Sequence, residues 1–107
     1  MNLPDEMVEA IKCLADGTPD IVAVHLFGSG ARGEHRADSD VDLALQPSGT
    51  TDGERLAAYI GMDKRPWSSL GERFALPVDI DYYEPHSDGI VAPAVEAHGL
   101  ELYRRPE

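Results

Sequence analysis

Basic residues are few in this chain: nine Lys and Arg stand against twenty Asp and Glu, a formal net charge of -11. A field of that sign repels a phosphate backbone, which argues against direct nucleic-acid binding and suits a basic protein partner or bound cations. Cysteine occurs once, at Cys13, so no intramolecular disulfide can form. Its place in an apolar helical stripe predicts a buried thiol and not a catalytic one. No run approaches the roughly 18 apolar residues of a membrane span. The opening Met1-Asn2-Leu3-Pro4-Asp5-Glu6 also lacks the basic start and apolar stretch of a signal peptide, so the expectation is a cytoplasmic protein with no membrane contact. Repeats, low-complexity tracts and linkers are absent as well. A chain of 107 residues fits one domain, 1–107, since domains cluster at roughly 100 to 150 residues. Its 42% hydrophobic content is that of an ordinary folded protein.

What is present is an alternation of helical and strand patterns. Leu3, Met7, Val8, Ile11 and Leu14 recur at helical spacing, with Asn2 as cap, Pro4, Asp5 and Glu6 in the first turn and Gly17 past the last. Ile21 to Phe27 is apolar and β-branched without strict alternation, which predicts a strand covered on both faces, with His25 a packed core residue. A glycine-rich turn from Gly28 to Gly33, with a short helix from Ala31 to about Ala37, leads to a second strand, Val41 to Leu45. Pro47 to Asp52 reads as loop, and Thr51-Asp52-Gly53-Glu54 fits the capping box that opens a helix through Leu56, Tyr59 and Ile60. Pro66 interrupts, and Trp67, Leu70 and Phe74 restart the helical period as a core stripe. Pro77 to Tyr83 reads as a third strand, Val78 and Ile80 on one face and Asp79 and Asp81 on the other. A helix from Ser87 to His98, bearing Pro93 and ended by Gly99, and an edge strand from Leu100 to Tyr103 complete the pattern.

The chemistry concentrates between Phe27 and Leu45, F-G-S-G-A-R-G-E-H-R-A-D-S-D-V-D-L-A-L. Gly28 and Gly30 free the backbone to approach a ligand, so that successive N–H groups and the Ser29 hydroxyl can converge on phosphate oxygens. Asp40 and Asp42 are two residues apart at the opening of a strand, so both side chains leave one face. Two carboxylates about 4 Å apart repel by roughly 4 kcal/mol at an effective dielectric of 20, so a site holding both ionised calls for a cation or a shared proton. Magnesium, which takes one or two carboxylates plus substrate phosphates, is the natural counter-charge. If the second and third strands are neighbours, Asp79 or Asp81 completes a cluster of three and can accept a proton from an attacking hydroxyl.

Three other motifs match this stretch in part and fail on context. Gly28 to Gly33 satisfies G-x-G-x-x-G, but the next strand begins too soon for a Rossmann crossover helix and carries its acids at its start. Asp38 to Asp42 resembles the head of a calcium loop, but Leu43 holds the glycine position and Gly49 the bidentate glutamate position. No Gly-Lys-Ser/Thr follows the turn to make a P-loop.

Together, G-S-G-A-R-G, five residues and S-D-V-D-L resemble the G-S-x-A-R-G-x(5)-S-D-x-D-L motif of the minimal nucleotidyltransferases, a branch of the DNA polymerase beta superfamily. The later P-V-D-I-D and the ending E-A-H-G-L-E-L-Y are similar to that family's third-aspartate strand and its C-terminal helix and strand. The resemblance implies an α/β nucleotidyltransferase fold, a small mixed β-sheet flanked by helices. It implies transfer of a nucleoside monophosphate, AMP from ATP, to a hydroxyl. Gly28, Ser29 and Arg32 would bind the nucleotide, and Asp40, Asp42 and Asp79 would hold one or two Mg2+ ions as the catalytic set. Asp79 is preferred to Asp81 because the family's acid directly follows the first strand valine, here Val78. The resemblance further implies an antitoxin whose partner is a HEPN-type toxin and whose acceptor is a toxin tyrosine. Two alternatives stay open: a module that neutralises its partner by docking alone, and a small-molecule adenylyltransferase of the aminoglycoside type, against which the short chain argues.

Overall fold

A computed structural model describes residues 3–27, 41–85 and 91–106. Helix α1 (Asp5–Asp16) is followed by strands β1 (Ile21–Phe27) and β2 (Val41–Pro47). Helices α2 (Asp52–Gly61) and α3 (Arg65–Phe74), strand β3 (Val78–Tyr82), helix α4 (Val91–His98) and strand β4 (Leu100–Arg104) complete the order. The strands form one sheet in the order β3-β2-β1-β4. β1 is antiparallel to β2 and β4, whereas β2 and β3 are parallel, so the α/β fold with a mixed sheet is as expected.

Both faces of the sheet are covered. Met7, Ile11 and Ala15 of α1 and Trp67 and Leu70 of α3 pack against Leu26, Val41, Leu43 and Leu45, all buried. Burying each such aliphatic side chain contributes about 1.5 to 3 kcal/mol. On the other face Ala92 and Val95 of α4 pack on Phe27, Ala44 and Tyr83. β1 is therefore central and nearly unbroken in its apolar character because it has helices above and below. His25 is buried in it as anticipated, its ring edge-on to Tyr83 with centroids 5.2 Å apart.

Several local details differ from expectation. Pro4 occupies the N-cap of α1, its carbonyl accepting from the N–H groups of Met7 and Val8; Asn2 lies outside the described residues. Cys13 is exposed, because the α1 stripe that faces the sheet runs through Met7, Val8, Ile11 and Ala15, and Cys13 falls beside it. β2 extends two residues further, to Pro47. Thr51 caps α2 by accepting from the Glu54 N–H at 3.1 Å, but the Glu54 carboxylate closes on Thr50, taking its hydroxyl at 3.0 Å, and not on Thr51. Pro66 falls in the first turn of α3, where its missing N–H costs nothing. The predicted helix from Ala31 to Ala37, and the stretch 87–90 of the last predicted helix, lie outside the described residues.

α2 is unusual. Its Tyr59 packs on the main core, but no residue of the helix is fully buried, and Leu56 and Ile60 are 47% and 66% exposed.

Candidate active site

The register of the parallel pair determines which carboxylates meet. Val41 pairs with Val78, Asp42 with Asp79 and Ala44 with Asp81. Neighbouring strands lie about 4.8 Å apart and in-register side chains leave the same face, so Asp42 and Asp79 stand side by side. Asp81 lies one pleat further along, beside Ala44. In this register it is Asp79, and not Asp81, that is the neighbour of Asp42. Asp42 is half-buried and Asp79 exposed.

Both aspartates sit at the N-terminal ends of their strands. The antiparallel β1 brings its C-terminal residue, Phe27, opposite Asp42, so one row across the sheet reads Asp79, Asp42, Phe27. The face that carries this row is the one that α4 covers further along, over Phe27 and Ala44. Residues 28–40 link the end of β1 to the start of β2. Gly28, Ser29, Arg32 and Asp40 fall in that segment and lie outside the described residues, so the triphosphate turn and the first aspartate stay as expectations from sequence.

The donor chemistry fits a hard divalent cation. Two carboxylates about 5 Å apart repel by roughly 3 kcal/mol at an effective dielectric of 20, and oxygen donors in this number are what magnesium takes beside phosphate. Among the described residues no group of three His, Cys, Asp or Glu side chains could hold a metal; Asp40, the first aspartate of the expected set, lies outside them.

The next row on the same face is Asp81, Ala44, His25, Glu101. His25 Nε2 lies 3.6 Å from the Glu101 carboxylate, and its Nδ1 has no hydrogen-bond partner among the described residues. Burial pushes the imidazole below its ordinary value of 6.5; Glu101 opposes this and Arg104 adds to it. His25 is therefore held neutral, a packing group beside the site.

The far end of β2 is built differently, and its long-range contacts have no signal in the sequence. Arg55 of α2 donates to Glu84 through Nε at 3.0 Å and Nη2 at 2.5 Å, and to Asp52 through Nη2. Tyr82 donates its hydroxyl to the other Glu84 oxygen at 2.8 Å. Gly49, at φ 136°, a region that side-chain-bearing residues rarely enter, turns its carbonyl to Arg55 Nη1 at 3.4 Å. The Arg55 guanidinium holds the Glu84 carboxyl below its usual range, and the same bond raises Arg55. The Asp52–Arg55 spacing of three on a helix is legible in sequence. Glu84, 29 residues away, is not.

A family model described as Polymerase beta, Nucleotidyltransferase matches residues 9–107. The chain belongs to the polymerase beta nucleotidyltransferase family. Solved structures share this nucleotidyltransferase's fold. A chain of a toxin–antitoxin structure with AMP-PNP superposes with a TM-score of 0.61 at 21% identity, over 91% of this chain and 73% of that one. A chain of a mutant MntA-HpeT toxin–antitoxin gives 0.64 at 23% identity, over 96% and 74%. A chain of the tri-AMPylated Shewanella oneidensis HEPN toxin in complex with MNT antitoxin gives 0.54 at 19%, over 92% and 69%. At such identities the likeness speaks for the fold alone. No curated protein matches this nucleotidyltransferase.

Proposed function

We propose that this nucleotidyltransferase is the antitoxin of a toxin–antitoxin pair and transfers AMP from ATP to a hydroxyl, a tyrosine of a HEPN-type toxin. The observation that carries the reading is the in-register placement of Asp42 beside Asp79 on the parallel pair β2–β3. Two like charges in adjacent strands repel one another, and a triphosphate site with a cation calls for such a pair. The likeness to toxin–antitoxin structures, one of them with a tri-AMPylated HEPN toxin, supports the choice of partner, and the motif resemblance supports a tyrosine as acceptor.

In this reading Gly28 and Ser29 bind the phosphates and Arg32 steadies the triphosphate. Asp40, Asp42 and Asp79 hold magnesium, which when bound neutralises charge on the phosphates and on the leaving group. The acceptor oxygen forms a bond to the α-phosphorus as the bond from that phosphorus to the β-bridging oxygen breaks, and pyrophosphate departs. Asp79, the more exposed of the two described aspartates, takes the hydroxyl proton. His25, buried and one row further along the sheet beside Ala44, is not given that role.

The test is label transfer in magnesium with the neighbouring gene's product as acceptor, comparing α-labelled with γ-labelled ATP. Movement of the α label alone, lost in Asp42→Asn, is the expected result. A γ label on the acceptor would identify a kinase instead. No label on a partner that still binds tightly would replace transfer by neutralisation through docking.

A further inference from the structure

On the face of the sheet that carries Leu43 and Leu45, α1 and α3 line a groove of about 730 Å³. Its apolar surface comes from Ala10, Leu14 and Leu70. Three carboxylates, Asp5, Glu6 and Glu9, line its α1 wall, against a single cation, Arg73, on the α3 wall. Asp5 and Glu6 also complement the α1 dipole, but Glu9 lies beyond the first turn, and its partner Lys12, 3.6 Å away, is itself 47% exposed. Its lining runs from Asp5 to Leu14 along α1 and from Pro66 to Arg73 along α3, roughly 11 to 14 Å, which matches two to three turns of a third helix laid against them.

We propose that this groove docks an amphipathic helix of a protein partner, with aliphatic anchors on one face and Lys or Arg flanking them to meet Asp5, Glu6 and Glu9. Charge selects this occupant. A second copy of the chain would bring its own net charge of -11 to an acidic rim, and a nucleic acid would be repelled. α1 and α3 pack on the face of Leu43 and Leu45, whereas Asp42, Asp79 and α4 lie on the opposite face of the sheet. A helix held here therefore leaves the carboxylate pair uncovered. The inference does not require transfer activity, and its assay reads binding alone.

The probe is a fluorescent, amidated Leu/Lys amphipathic peptide of about four turns, long enough to stay helical on docking. A Leu/Glu peptide of the same pattern serves as its control. Anisotropy should report binding of the Leu/Lys peptide only, about tenfold weaker to the Glu6→Lys/Glu9→Lys variant and tighter to Arg73→Glu. Asp42→Asn should bind as the unaltered chain does, which separates docking from catalysis. Cys13 lines the groove and is the sole cysteine, so its alkylation by N-ethylmaleimide locates the peptide: saturating Leu/Lys peptide should protect it. Equal binding of both peptides, binding that neither charge variant alters, or no protection of Cys13 would each overturn the proposal. So would protection that rises with protein concentration without peptide, which would assign the groove to self-association.

Discussion

The two ends of β2 handle charge in opposite ways. At its start Asp42 is in register with Asp79, so like charges are placed side by side; at its finish Arg55, Glu84 and Tyr82 satisfy one another through hydrogen bonds of 2.5 to 3.0 Å. The second arrangement is what a fold does for itself: it ties α2 to the end of β3 and neutralises what it covers. The first sets two like charges in adjacent strands, which repel one another, and that placement suits a bound cation. The contrast teaches that one sheet can gather like charges at one end of a strand and opposite charges at the other.

The sharpest way to break the comparison is to neutralise one carboxylate at the start of β2. Asp42→Asn and Asp79→Asn should each lower AMP transfer by roughly a hundredfold or more, about 3 kcal/mol in the barrier, with the thermal midpoint unchanged or raised because one of two repelling charges is gone. Asp81→Asn, one pleat away, should retain most of the activity. Equal losses at Asp79 and Asp81, measured by α-label transfer, would undo the assignment from register.

At the other end of β2 the balance reverses. Arg55→Met should lower the thermal midpoint by a few degrees and leave transfer nearly intact. The Glu84 carboxyl is depressed in the folded state, so its contribution is present above its ordinary value of 4.5 and is lost as pH falls through the lower folded value. Acid unfolding curves should show that dependence in the unaltered chain and lose it in Arg55→Met.

His25 gives a smaller effect with a distinct pH window. Its folded value is depressed by burial, so the unfolded chain binds the proton first and stability falls as pH drops below 6.5. His25→Phe, which keeps a ring against Tyr83, should remove that part of the pH dependence, as chemical denaturation between pH 7 and pH 5 would report. The smallest change is expected on α2. Leu56→Ser with Ile60→Ser should shift stability by no more than about 0.5 kcal/mol per site, as at ordinary surface positions.

Much of the fold is legible in the amino-acid sequence. β1 is readable to the residue, because a run of seven residues, apolar or β-branched at all but His25, between a turn and a glycine has few other uses. The core stripe of Trp67 and Leu70 follows from period alone. Cys13 departs from the burial its spacing predicts because a helix stripe has edges: one residue's rotation, about 100°, separates a sheet-facing side chain from a solvent-facing one. The candidate nucleotide turn is legible as a motif, and its residues lie outside those described.

By itself, the sequence determined the type and order of the described helices and strands, because periodicity, caps and turns act over a few residues. Tertiary structure decided what no local rule reaches. It made β2 and β3 parallel neighbours and chose the register that pairs Asp42 with Asp79 and leaves Asp81 beside Ala44. It joined Arg55 to Glu84 across 29 residues and turned Leu56 and Ile60 of α2 to solvent. Each of these depends on how one strand or helix meets another, and that is set by the packing of the whole core, where a shift of one residue would exchange the buried and exposed faces of a strand.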